Sequence, residues 1–201
     1  MNPSRNDVTR CRWCSADPVY QHYHDHEWGV PEYDAQRLFE KLLLDGFQAG
    51  LSWITILKKR ERYRQVYRGF DVQLMAAQSD ADLQILMQDP GIIRNRLKIQ
   101  AARQNARAWL VLAKRTDPAA WLWQFVDGRP LINQFASHAE VPAITPQAQA
   151  MSKALKKAGF SFVGPTICYA FMQATGMVMD HTLDCFRYAE LGCGTFTVEQ
   201  Q

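Results

Sequence analysis

The feature that most constrains this chain is a run without charge. From Ala158 to Met179 there is no acidic or basic side chain, and the run is about the length, roughly 20 residues, that spans a bilayer. It also holds Ser161, Gly164, Pro165, Thr166, Gln173, Thr175 and Gly176, which are poor residues to face lipid. A helix buried at the centre of a soluble protein fits these residues better than a membrane span.

Helix signals dominate the rest of the chain. Asp34 is placed to cap a helix whose Leu38 and Leu42, with Phe39 and Leu43, share one face. Gly46 to Gly50 interrupts it, and Ser52 caps a second helix through Ile54 and Leu57 to about Tyr67. Ser79 to Asp82 opens a third, which ends at Asp89 because Pro90 disfavours helical geometry in the residue before it. From about Asn95 to Lys114 the spacing is helical again, with Leu97, Ala101 and Ala108 expected toward a core. Thr145 and Pro146 start another helix over Ala148 to Ala158, and Gly159 stands where it would stop. Strand alternation is nearly absent, residues 127–144 read as a loop, and there is no internal repeat. The expected fold class is all-α.

At 201 residues the chain has room for one domain or for closely joined lobes. A hydrophobic share of 47% and a charged share of 21% exclude disorder, collagen-like and low-complexity classes for the whole chain. Five cysteines, an odd number, do not form a secreted disulfide framework. Met1 to Arg10 is polar throughout and carries no secretory signal, so the expected compartment is a reducing cytoplasm, with no membrane involved.

The net charge of +3 is uninformative as a total, but its distribution is not. Residues 1–45 hold eight acidic and five basic side chains. From Gly91 to Thr116 there are seven basic residues (Arg94, Arg96, Lys98, Arg103, Arg107, Lys114 and Arg115) and no acidic one. Lys58 to Arg68 adds six basic residues against Glu61. One reading is a pair of solvated helical faces; the other is a single phosphate-facing surface. Position favours the second, because the first run begins at a helix–Pro-Gly–helix turn. There Gly91 and Ile92 would offer backbone amides to a phosphate, with Arg94, Arg96 and Lys98 just after. A helix-hairpin-helix element near 86–97 grips a DNA backbone in this way, although two packed helices are often joined by such a turn.

Cys11 and Cys14 lie near the start, His22, His24 and His26 follow, and His181 with Cys185 lies near the end. His181 and Cys185 are four apart and would share a face if helical. Two ligands from each end would complete a closed tetrahedral zinc site of structural kind. Alternatively, the cysteines are small buried hydrophobes and the histidines surface or core groups. A redox role for Cys11-x-x-Cys14 is disfavoured because no strand precedes it. Trp13, Tyr20, Tyr23, Trp28 and Tyr33 crowd the first segment, and Trp53 follows the glycine-interrupted stretch Asp45 to Ser52. Flat rings beside one acidic group suit an extruded nucleobase; packing in a core is the plain alternative.

Several motifs in order carry a resemblance. Arg10-Cys11-x-Trp13, Asp17-Pro18-x-Tyr20-x-x-Tyr23-His24-Asp25-x-Glu27-Trp28-Gly29-Val30-Pro31 and Gln48-Ala49-Gly50-Leu51-Ser52-Trp53-Ile54-Thr55 stand in the first part. Asp89-x-Gly91-Ile92-Ile93-Arg94-x-Arg96, Phe162-Val163-Gly164-x-Thr166-Ile167-Cys168-Tyr169 and Asp180-His181 follow. Together they resemble the 3-methyladenine DNA glycosylase type I family, from about Arg10 to Cys185, leaving out the polar head and the tail from Leu191.

The resemblance implies one helix-hairpin-helix glycosylase unit over residues 1–201, with an ordered core at 10–188. It implies a monomer that flips and excises 3-methyladenine from double-stranded DNA and leaves an abasic site. It also implies one structural zinc per chain on Cys11, His24, His181 and Cys185. The family's base pocket carries over to Tyr20, Tyr23 and Trp53, with Trp13 beside them. Its acidic base contact falls on Asp45, where the family usually has glutamate. A base made cationic by methylation needs little acid catalysis, so flipping, stacking and stabilisation of an oxocarbenium-like sugar are the expected tasks. Leu51 is either the wedge that fills the vacated stack or ordinary core packing. Two rival classes would share some of these residues: a non-catalytic DNA-binding protein with the same basic face, and a hydrolase that uses the metal for its chemistry.

Overall fold

The computed structural model describes residues 8–192. The head at 1–7, on which the expectation of no secretory signal largely rests, and the tail from Cys193 onward lie outside the described residues.

Local capping chemistry sets most element starts. Asp17 accepts from the Val19 amide and Pro18 occupies the first turn of α1 (Pro18–His26). Asp34 accepts from the Arg37 amide at 2.8 Å and opens α2 (Ala35–Gln48), whose inner face runs from Leu38 to Phe47. Gly50, in the left-handed region at φ 77°, turns the chain into α3 (Trp53–Leu57). The single helix expected from Ser52 to about Tyr67 is therefore broken after Leu57 and resumes as α4 (Arg60–Val66). The Ser52 hydroxyl bonds the Thr55 hydroxyl at 2.7 Å and caps no amide.

After α5 (Val72–Ala77), a capping box between Ser79 and Asp82 starts α6 (Asp80–Gln88). That helix stops at Asp89, in extended geometry before Pro90. Asn95 caps α7 (Arg96–Ala113), which packs along α5 and against α6 and α2. Its core face carries Ile99, Ala102, Ala106 and Trp109, with Ala101 and Ala108 also buried. Leu97, expected inside, is 66% exposed. In the first turn its side chain leans toward the helix N-terminus and reaches past the end of the element into solvent.

The chain continues through α8 (Pro118–Trp123) and the short strand β1 (Leu131–Ile132) to α9 (Pro146–Lys157), capped by Thr145 and ended by Gly159 at φ 93°. The uncharged run is not one helix. It forms an irregular segment, then α10 (Pro165–Ala174) packed on α9 and α2, then β2 (Val178–Met179), which pairs in parallel with β1. Cys168, Tyr169, Phe171 and Met172 of α10 are buried, as a central helix requires. Strand β1 lies inside the expected loop at 127–144 and ties that loop to the end of the run. The last element is α11 (Phe186–Gly192). The described fold is mostly α-helical, and no helix among the described residues is long and apolar enough to cross a membrane.

Candidate functional site

The ends of α1 and α2, the start of α3 and the last turn of α10 meet around a cavity of about 200 Å³. Trp13, Tyr20, Tyr23, Trp28 and Trp53 form aromatic walls, and Asp45, Gln48, Gln173 and Asp180 contribute polar groups. The rings hold one another: Trp13 lies 5.1 Å from Tyr20 and 4.9 Å from Trp28, and Tyr23 lies 5.3 Å from Trp53, centroid to centroid. Tilted pairs at these separations are favourable for aromatic rings.

Three polar atoms on these walls are buried with no hydrogen-bond partner: Asp45 Oδ2, Trp13 Nε1 and Trp53 Nε1. Such atoms are costly, of order 1–3 kcal/mol each, and call for an explanation. Burial pushes the Asp45 carboxyl up to about 7, with the Lys41 ammonium opposing that shift. The cavity thus offers an acceptor that is easily made anionic, two donors and several flat faces. This is the complement of a planar ring with polar edges.

Asp180 is a second carboxylate on the cavity, not singled out among the expected site residues. It accepts from Asn133 Nδ2 at 2.7 Å, Tyr169 Oη at 2.6 Å and Gln173 Nε2 at 2.8 Å. Fully partnered, it braces the loop after β1 against α10. A signal was present in the sequence, since Asp180 is the first charged residue after the uncharged run.

Cys11, His24, His181 and Cys185 come together in the core, all four buried, with their ligand atoms within 4.8 Å of one another. Cys11 Sγ and Cys185 Sγ each lie 3.4 Å from His181 Nδ1, and Cys185 Sγ lies 3.4 Å from His24 Nε2. Tetrahedral zinc with ordinary Zn–S and Zn–N bonds requires S···N edges of roughly 3.5 Å. The surroundings also suit a metal. His24 Nδ1 pairs with Asp25 Oδ1 at 2.8 Å, and Asp25 is gripped through both oxygens by Arg10. His181 Nε2 bonds the Trp28 carbonyl at 3.0 Å. Each ring therefore has one nitrogen oriented outward and the other aimed at the cluster. A bond from Cys11 holds the Cys185 thiol well below the usual thiol range, and the same bond pushes Cys11 up. His181 and Cys185 do not lie on a helix as their spacing suggested. They sit on a turn before α11, closed by the Cys185 amide on the Thr182 carbonyl. Cys14, His22 and His26 are outside the cluster, and the last two stack on each other at 4.4 Å.

Leu51 sits 40% exposed on the bend between Gln48 and Trp53, both cavity residues. The hairpin segment departs from expectation in detail. The Gly91 amide donates to Asp89 Oδ1 at 2.7 Å, the Ile93 amide donates to Tyr63 Oη at 3.1 Å, and Ile92 is buried. Lys98, expected to face DNA, points inward: its ammonium donates to the carbonyls of Phe47 at 2.8 Å and Ala49 at 2.6 Å. A long side chain on the first turn of α7 reaches the unpaired carbonyls at the end of α2, which accept a cation well. Arg94 and Arg96 are exposed and make no ion pair among the described residues. The second basic run is largely neutralised, with Lys58 on Asp17, Arg60 on Glu27, Arg62 on Asp89 and Arg64 on Glu40 and Glu61.

Comparison with known proteins gives a consistent picture. A sequence model of the methyladenine glycosylase family matches residues 13–188. DNA-3-methyladenine glycosylase 1 of Escherichia coli (strain K12) is 52% identical over 182 residues, covering 90% of this chain and 97% of that protein. A crystal structure of 3-methyladenine DNA glycosylase I superposes with a TM-score of 0.87 at 55% identity, covering 89% of this chain and 98% of the other. The Staphylococcus aureus 3-methyladenine DNA glycosylase I, from a study of 3-methyladenine recognition, superposes at 0.85 with 36% identity, covering 88% of this chain and 94% of the other.

Proposed function

Since the chain belongs to the methyladenine glycosylase family, we propose that it is a DNA-3-methyladenine glycosylase that flips the damaged nucleotide out of double-stranded DNA. It then hydrolyses the N-glycosidic bond and leaves an abasic site. The observation that carries this is the set of orphaned polar atoms, Asp45 Oδ2, Trp13 Nε1 and Trp53 Nε1, on the walls of one aromatic cavity. A methylated adenine would supply an edge to satisfy them and a flat cation to stack on Tyr20, Tyr23 and Trp53.

Methylation at N3 leaves the adenine positively charged and therefore already a good leaving group. What remains for the protein is to hold the base, keep Asp45 as the acceptor of its polar edge, and stabilise an electron-deficient sugar while water adds. Leu51, on the lip beside the cavity, would fill the vacated stack. Arg94 and Arg96, past Gly91 and Ile92, would hold the phosphates of a helix-hairpin-helix contact whose backbone shape the internal bonds of the turn maintain. Lys98 is left out of that contact, because its charge serves α2.

The four-residue Cys/His set would hold a structural zinc, one per chain. Four side-chain ligands close the coordination sphere, so the metal supplies cross-linking and no reaction step. The same reading takes residues 10–188 as one unit, working as a monomer in the cytoplasm.

The test is release of free base from methylated duplex DNA, with the products separated by chromatography, for the wild type and Asp45→Asn. At least a tenfold loss of single-turnover rate in a folded variant is expected. Wild-type protein that binds such DNA but frees no 3-methyladenine would leave only a binding protein. An unchanged rate in Asp45→Asn would remove Asp45 from its role.

A further inference from the structure

Lys41 and Asp45 are one helical turn apart on α2 and face the same side. The Lys41 ammonium lies 4.4 Å from the centroid of the Tyr23 ring and 5.3 Å from that of Trp53, and donates to Tyr23 Oη at 3.2 Å. Both rings line the aromatic cavity, whereas Lys41 itself lines a separate, larger cleft of about 700 Å³. A half-buried cation therefore stands behind two walls of the proposed base site.

The other carboxylates near it, Glu27 and Glu40, already have arginine partners. Glu27, at the end of α1, is held by both ends of the Arg60 guanidinium from α4, and Glu40, on α2, by Arg64. Lys41 forms no ion pair with either, or with Asp45, among the described residues and acts on all three through space. Asp45 has no hydrogen-bond partner for its buried oxygen. The groups that face Asp45 are Lys41 on its own helix, Tyr23 on α1 and Cys168 on α10. His138 and Asp180 line the same cavity, Asp180 already engaged by three donors. Lys41 is thus the cation placed to favour an anionic Asp45.

We propose that Lys41 is a positioning residue of the base site, whose ammonium behind Tyr23 and Trp53 keeps Asp45 in the anionic form that receives a cationic base. The proposal rests on Asp45 being the base contact. Burial alone opposes ionisation of this carboxyl, and an opposite charge one turn away counters it. In the folded protein burial raises the Asp45 carboxyl and lowers the Lys41 ammonium, while the charge of each favours the charged form of the other. Without Lys41 the carboxyl would hold its proton to higher pH, and the pocket would meet a cation with a neutral acid.

The experiment uses full-length protein in four forms: wild type, Lys41→Met, Lys41→Arg and Asp45→Asn. Carbon-13 NMR of the side-chain carboxyls, with the Asp45 signal assigned by its absence in Asp45→Asn, gives the ionisation midpoint without DNA. Single-turnover excision on methylated duplex, from about pH 5.5 to 9, gives the acid limb of the rate. In Lys41→Met both the midpoint and the limb should rise by about one pH unit, and Lys41→Arg should restore them. Should Lys41→Met not fold, Lys41→Gln takes its place, since it keeps a donor for Tyr23. A midpoint that moves by less than about 0.3 unit, or a limb that does not follow the midpoint, overturns the proposal. Wild-type excision by Asp45→Asn instead overturns the base-contact reading, and the NMR midpoints keep the two failures apart.

Discussion

A carboxyl buried without a partner lowers the stability of the fold that holds it, and Asp45 is such a group. Its ionisation sits at about 7 in the folded protein because burial disfavours the anion, against about 4 in an unfolded chain. Between those values the folded state carries the proton and the unfolded state does not, so the group's contribution to stability falls as pH rises through this window. Lys41 offsets part of the loss. Asp45→Asn removes the titration while keeping the shape. The variant's melting temperature should therefore exceed the wild type's by a margin that grows from about pH 5 to about pH 8. Thermal melts at both values check this, and a difference independent of pH would show that the carboxyl is already satisfied. The same change would cost activity, as expected where a strained site exists for its ligand. One residue thus links pocket chemistry to fold stability, and its placement was legible from sequence only through the resemblance. Nothing in the spacing around Asp45 shows that a buried oxygen lacks a donor.

The elements divide by how local their determinants are. Helices α2, α6, α7 and α9 were legible because Asp34, Ser79, Asn95 and Thr145 cap them within three residues of sequence. The break between α3 and α4 and the three-part character of the uncharged run were not, since packing against distant elements decides them. Charge suffered most. Lys58, Arg60, Arg62 and Arg64 looked like a free basic face, but their acidic partners Asp17, Glu27, Asp89 and Glu40 are far away in sequence, and a window count cannot see them. Lys98 is the sharpest case, its carbonyl partners being at Phe47 and Ala49. By clamping the end of α2 it fixes the stretch that carries Asp45, Gln48 and Leu51. Lys98→Met leaves two carbonyls without their buried donor and should lower unfolding free energy by about 1–3 kcal/mol in denaturant titrations. It should leave the salt dependence of DNA binding unchanged. Arg96→Ala should do the reverse, leaving stability alone and reducing the slope of log affinity against log salt by about 0.9. If Lys98→Met lowers the slope instead, its ammonium reaches phosphate and the inward contact is not the operative one.

At the scale of the whole molecule, the Cys/His cluster joins the two ends of the described chain. Cys11 precedes α1, His24 lies within it, and His181 and Cys185 flank the turn into α11. Between the first two ligands stand Trp13, Tyr20 and Tyr23, and the Trp28 carbonyl binds the third, so the cavity's aromatic walls hang on the cluster. A metal there would act on stability and pocket geometry together. Without one, two thiols and two rings would be packed in the core with little apolar gain. Structural zinc sites contribute on the order of 10 kcal/mol to folding at neutral pH in small metal-dependent domains, comparable with the whole stability of an ordinary domain. Protein purified without added metal should therefore contain about one zinc per chain, and a strong chelator should lower its melting temperature and open the segment before α2 to protease. Cobalt should restore both excision and melting temperature, because a closed four-ligand site asks the ion for geometry and not for chemistry. Retention of the full melting temperature after complete metal removal would instead make the cluster a set of buried hydrogen-bonded side chains. The aromatic walls would then be held by the contacts of their rings with one another and by the packing of α1 on α3.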